Sequence, residues 1–206
     1  MLEKIVLPVE RFVLESLGVN FVSMDYIDHL LMEMVEMIRD DRRNFRPELI
    51  VGIANGGVYP SIKLAEKLHL KYELVEANRT KTSLGNLNLN ERFILGKLFF
   101  PYMKTGPILR QELTRTTLPK NILLVDDDCG TGKTLSLVRD YLMNFQGVER
   151  VKTASVFCYE SKHNSEYIGQ IIPKLNSFMS CSKRLPWCDV SPHYKEYSKR
   201  LSSLEV

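Results

Sequence analysis

Between Ser23 and Arg43 the apolar residues Met24, Ile27, Leu30, Leu31, Met34, Met37 and Ile38 recur at three- and four-residue spacing. That period predicts an amphipathic helix with Ser23 as its N-cap. After Pro47 the period changes. Glu48 to Ile53 is a short, nearly all-apolar strand, Ala54-Asn55-Gly56-Gly57 a tight turn, and Val58 to Leu68 a second helix. Leu70 to Ala77 reads as another strand. Residues 78–90 are polar, contain Gly and lack periodicity, which predicts a mobile loop of the kind that forms lids. Residues 93–119 predict a hairpin or helical elaboration. The strand, turn, helix order then returns, with an apolar run at Asn121 to Val125, three acids, a Gly-rich turn and a helix from Thr134 to Phe145. Val151 to Tyr159 and Asn176 to Ser180 are further strands, and Tyr194 to Leu204 a charged terminal helix.

Apolar strands alternating with helices predict an α/β fold, a single-domain, mostly parallel twisted sheet with helices on both faces. Such sheets place ligands beyond the carboxyl ends of their strands. The expected organisation is an N-terminal helical extension over 1–46, a core over 47–175 and a C-terminal hood and tail over 176–206. Composition agrees with a folded domain: of 206 residues 44% are hydrophobic and 26% charged, with only 11 Gly and 9 Pro. The four cysteines form no CxxC pair and read as free thiols, and no apolar run reaches the length of a membrane span. A cytoplasmic, reducing setting with no membrane partner is expected. Net charge is +3, from 28 basic and 25 acidic residues without a long basic block, which gives no reason to invoke nucleic acid. Homo-oligomerisation stays open.

The chemistry concentrates in Val125-Asp126-Asp127-Asp128-Cys129-Gly130-Thr131-Gly132-Lys133-Thr134. A Gly/Thr-rich turn entering a helix offers backbone N–H groups, hydroxyls and a positive dipole end to an oxyanion. Gly-Lys-Thr suggests a Walker A loop, but that pattern needs Gly where Asp127 stands. Acids beside a phosphate cradle need another task, and carboxylates at a strand end accept hydrogen bonds from vicinal hydroxyls or share a Mg2+ ion. A site wanting both a diol and a phosphate is a ribose 5-phosphate site. The plainer alternative is that Asp126 and Asp127 cap the turn.

The run ILLVDDDCGTGKT resembles the signature of type I phosphoribosyltransferases, and LIVGIANGGVYP (Leu49 to Pro60) is similar to the pyrophosphate loop and helix of that family. Leu185-Pro186-Trp187 resembles the Pro-Trp of xanthine-guanine-type members. The resemblance implies a transferase that moves 5-phosphoribose from phosphoribosyl pyrophosphate to a nitrogenous base, with Mg2+ as cofactor. It implies that Asp126 and Asp127 hold the ribose hydroxyls and the metal, and that Gly130, Thr131, Gly132, Lys133 and Thr134 hold the 5-phosphate. Ala54, Asn55, Gly56 and Gly57 would hold the pyrophosphate. Arg79 and Lys81 match the flexible catalytic loop, although both also suit an ordinary solvated loop. Tyr159 and Trp187 would face the base, Trp187 being equally suited to the core. Three positions depart from the family pattern. Asn55 stands where Arg or Lys is frequent, Gly130 where 6-oxopurine enzymes carry Asp, and Tyr159 where they carry Lys. Hypoxanthine and guanine therefore fit poorly. A non-catalytic sensor of phosphoribosyl pyrophosphate or a nucleotide, on the same fold, is the alternative function.

Overall fold

A computed structural model of the chain describes residues 20–79, 107–159, 165–172, 185–188 and 191–204. Helix α1 (Met24–Asp40) starts as its sequence requires. The Ser23 side-chain oxygen accepts the Tyr26 N–H at 3.2 Å, Asp25 sits in the first turn and Arg39 in the last. Its seven buried apolar residues, Met24 to Ile38, form one stripe, each burial contributing about 1.5–3 kcal/mol before ordering entropy is charged. A short 3-10 turn, Asp41–Arg43, follows.

Then come β1 (Leu49–Ala54), α2 (Val58–Leu68), β2 (Lys71–Arg79), β3 (Pro107–Gln111), β4 (Asn121–Cys129), α3 (Lys133–Met143), β5 (Arg150–Tyr159), β6 (Tyr167–Ile172) and α4 (Tyr194–Leu204). The six strands form one sheet in the order β3-β2-β1-β4-β5-β6. Strands β2, β1, β4, β5 and β6 run parallel, and β3 pairs antiparallel with β2. Alternation splits the apolar residues between two faces. Ile50, Leu123, Val125, Ala154 and Val156 share a core with α1 and α2, whereas Leu49, Val51, Ile53, Ile122 and Leu124 share the other with Leu135, Val138 and Leu142 of α3. Helices cover both faces, as the strand and helix alternation predicts.

The chain after β1 winds toward β2 and the chain after β4 winds toward β5, so the strand order reverses between β1 and β4. That reversal opens a crevice at the carboxyl ends of the two central strands.

Several boundaries differ from the sequence expectation. Strand β4 runs on through Asp126, Asp127 and Asp128 to Cys129 because β5 continues to pair with it, Asp126 opposite Ser155 and Cys129 opposite Cys158. Strand β6, at Tyr167–Ile172, has no counterpart in the sequence reading; as a half-exposed edge strand it carries a weak apolar signal. Within the expected elaboration over 93–119, residues 107–111 are strand β3. Helix α1 is built into the sheet's core rather than set apart from it. The expected strand at 176–180, and all of the expected loop except Asn78 and Arg79, lie outside the described residues. Among the described residues no helix is long and apolar enough to cross a membrane, and Cys129, Cys158 and Cys188 form no disulfide.

The packing of α2 on β1 is tight at one point. A Cβ on Gly52 would meet Ser61 Oγ at 2.2 Å and Leu74 Cδ2 at 2.9 Å, while Ser61 is anchored by donating its hydroxyl to the Gly57 carbonyl at 2.5 Å. Gly52→Val should therefore destabilise the fold by about 1–3 kcal/mol through overpacking, read as a lower urea midpoint with unchanged slope. An unchanged midpoint would show that α2 moves aside freely.

Candidate active site

Three turns meet at the crevice. The first, Ala54 to Gly57, leaves β1 and enters α2; its Ala54–Asn55 peptide is cis, and the Gly57 N–H donates to the Ile53 carbonyl at 2.8 Å. The second leaves β4 and enters α3. Gly132, the residue before that helix, has φ +69°, a left-handed conformation that Gly adopts without penalty. No side chain caps the helix there, so the first-turn amides and the dipole end face outward, as an anion requires. Thr131 Oγ1 lies 3.5 Å from the Lys133 amide, and Thr134 sits in the first turn. The third carries Leu185-Pro186-Trp187.

Two carboxylates lie between these turns. Asp126 and Asp127 are consecutive at the end of β4, and their carboxyl groups lie close enough to interact. Asp126 is buried and accepts the Asp127 N–H at 2.9 Å. Burial first, and the neighbouring Asp127 charge second, hold its carboxyl well above the usual carboxylate range. Asp127 reaches the first turn, because a Cβ on Gly56 would lie 1.9 Å from its Oδ2. Only glycine permits that approach. The same oxygen accepts the Trp187 indole N–H at 2.8 Å.

The pair suits a divalent cation. A buried carboxyl beside a second one lacks compensating positive charge, and the donors are hard oxygens. Among the described residues no group of three or more His, Cys, Asp or Glu converges on a metal-sized space. Mg2+ matches that donor set, since it commonly takes one or two carboxylates and completes its shell with water and substrate oxygens.

Among the described residues no heavy atom lies within 4 Å of where a Cβ on Gly130 would stand. Tyr159 ends β5. Burial, then the charge of Asp128, raises its hydroxyl above its ordinary value. Arg79 ends β2 opposite Pro107, and Lys81 lies outside the described residues. The sequence reading missed the Trp187–Asp127 contact, which joins residues 60 apart in the chain and which no local pattern signals.

The phosphoribosyl transferase domain model matches residues 23–169. The chain belongs to the phosphoribosyl transferase family. Phosphoribosyl transfer is accordingly its class of chemistry, and the turns after β1 and β4 both fall inside the matched range. Among solved structures, the fold is similar to a purine phosphoribosyltransferase from Pyrococcus horikoshii Ot3, with TM-score 0.59, 18% identity, and 81% of this chain and 92% of that one covered. It is also similar to a hypothetical protein from Neisseria gonorrhoeae with bound ppGpp, with TM-score 0.61, 14% identity, and 91% and 98% covered. A third is the Helicobacter pylori xanthine-guanine-hypoxanthine phosphoribosyltransferase, with TM-score 0.56, 16% identity, and 87% and 98% covered. No curated protein matches in sequence.

The elevated Asp126 carboxyl gives this phosphoribosyltransferase a signed pH dependence. The folded chain binds a proton there more tightly than the unfolded chain, so this group's contribution to stability is fully present below the ordinary carboxylate value of 3.8 and is lost as pH rises through the folded value. Asp126→Asn removes that loss. Without added metal, the variant's gain in thermal midpoint over the native chain should be small near pH 4 and grow toward neutrality, at about 2–4 °C per kcal/mol for a chain of this size. A gain independent of pH would contradict the assignment.

Proposed function

We propose that the protein transfers 5-phosphoribose from phosphoribosyl pyrophosphate to a nitrogenous base, releasing pyrophosphate, with Mg2+ as cofactor. The observation that carries this reading is the convergence on one crevice of two anion-accepting turns and a carboxylate, Asp127, packed against Gly56 of the first turn. In this reading Gly130 to Thr134 hold the 5-phosphate through backbone amides and the Thr131 and Thr134 hydroxyls. Asp126 and Asp127 accept hydrogen bonds from the ribose hydroxyls and face the metal. Ala54 to Gly57 hold the pyrophosphate, with Asn55 contributing an uncharged amide.

The reaction breaks the bond between the anomeric carbon and the pyrophosphate oxygen, which keeps the electron pair, and forms a bond from a base nitrogen to that carbon, the nitrogen's proton passing to solvent. Its oxocarbenium-like transition state needs no protein nucleophile; it needs a fixed ribose and a stabilised leaving group. Mg2+, when bound, supplies charge neutralisation to the pyrophosphate. Arg79 and Lys81 are proposed to add positive charge to the leaving group.

Base specificity follows from the departures at Gly130 and Tyr159. A pocket without a carboxylate at the first and a cation at the second lacks the polar contacts that select a 6-oxopurine, and strong discrimination comes only from such contacts. Tyr159 offers a neutral hydroxyl and a ring face, suited to a flat heterocycle held by stacking, an aromatic contact contributing about 0.5–1.5 kcal/mol beyond its buried area. Turnover with hypoxanthine or guanine should be at least about a hundredfold below that of an ordinary salvage enzyme, roughly 2.7 kcal/mol of transition-state stabilisation. Gly130→Asp should raise it at least about tenfold. Efficient native formation of inosine or guanosine monophosphate would overturn this specificity.

Asp127→Asn should weaken phosphoribosyl pyrophosphate binding about ten- to a hundredfold in calorimetry with Mg2+, since a hydrogen bond to a charged group contributes about 1.5–3 kcal/mol. An unchanged dissociation constant would refute the site. The second reading, a nucleotide sensor without turnover, draws support from the missing carboxylate at Gly130 and from the gonococcal structure whose ligand is ppGpp. Tight ligand binding with no pyrophosphate release across a base panel would favour it.

A further inference from the structure

Trp187 is the chain's single tryptophan, and its polar edge is engaged with the site. The indole N–H donates to Asp127 Oδ2 at 2.8 Å, the same oxygen that crowds Gly56. Asp127 is thereby held from two sides, by backbone close approach on one and by a directional donor on the other. The indole is itself seated. Its ring lies 5.8 Å from that of Tyr197 in α4, and Tyr197 lies 6.1 Å, edge-on, from Tyr59 in the first turn of α2. Helix α4 is anchored in turn. Arg200 donates to Asp28 Oδ2 at 2.5 Å and Asp25 Oδ1 at 2.6 Å, both on α1, and also pairs with Glu196, while the Tyr59 hydroxyl donates to Asp28 Oδ1 at 2.7 Å.

A carboxylate on an extended strand has free torsions, and a ribose diol is bound only when its acceptor oxygens are fixed in direction. Fixing them before the ligand arrives lowers the ordering cost of binding. An indole N–H has no acceptor capacity, so it directs one oxygen and leaves the rest of the carboxylate to the ligand. A base-covering aromatic needs only a ring face. Here the hydrogen bond is what ties Trp187 to the sugar side of the site.

We propose that Trp187 is a positioning residue for Asp127, seated by the C-terminal helix, and that it governs affinity for phosphoribosyl pyrophosphate. The inference rests on the assignment of Asp127 to the ribose. In the full-length chain with Mg2+, Trp187→Phe, which keeps a ring and deletes the N–H, should weaken phosphoribosyl pyrophosphate binding about five- to tenfold in calorimetry. In an Asp127→Ala background the same change should cost less than about twofold, since the partner is gone. Equal losses in both backgrounds, or no loss in either, overturn the proposal. If Asp127→Ala itself binds like the native chain, the functional reading fails and not merely the role of Trp187.

A second measurement does not depend on the folding of the Trp187 variant. Emission from the single tryptophan should change between the ligand-free native chain and ligand-free Asp127→Ala, because a carboxylate in contact with the indole is removed. Identical emission spectra would place the two side chains apart in solution and overturn the proposal.

Discussion

The arrangement depends on one close approach, that of the Asp127 carboxylate to Gly56. It requires β1 and β4 to be parallel neighbours, in register from Leu49 opposite Ile122 to Gly52 opposite Val125. β1 then ends at Ala54, level with Asp127, and turns into α2, while β4 runs on to Cys129 before turning toward α3. The two helices lie on opposite faces of the sheet, so their entry turns diverge and leave a crevice between them. A side chain at position 56 would occupy the space of the carboxylate and separate the two turns.

Electrostatics and packing pull against each other at this point. Burying Asp126 beside Asp127 costs stability, since its carboxyl is held above its ordinary range by desolvation and by a like charge. A protein selected for stability alone would place an apolar residue there, continuing the run Ile122 to Val125. The apolar layers on both faces of the sheet, among them seven buried residues of α1, support that local cost. Strained or repulsive groups persist where the surrounding structure fixes them and a ligand gains from them.

The C-terminal segment has a reason to cross the molecule. Trp187 donates to Asp127, while α4 is bound to α1 through Arg200. The end of the chain thus braces the layer from which α2 rises out of the first turn. Tyr59, whose hydroxyl is raised above its ordinary value by burial and by Asp28, is the shared post. It is buried in the α1–α2 core and also lies edge-on to Tyr197.

Much of this was legible in the residues. The 3.6 period of Met24 to Ile38, the Ser23 cap, the limits of α2 and α4 and the Gly-rich turn before α3 are local properties, set by interactions within a few residues. The candidate site was legible as segments, because the Gly-rich turn and the acid pair are contiguous in the chain. What only the tertiary structure decided is non-local. Asp126 to Cys129 are strand because β5 pairs with them, although three consecutive acids locally favour a break. Strand β6 is strand because it completes an edge. The Asp127 carboxylate meets Gly56 and Trp187 across long stretches of chain, and neither contact leaves a periodicity or spacing to read. Sequence pattern reports interactions whose partners are a fixed few residues apart; the contacts that orient Asp127 have partners chosen by the fold.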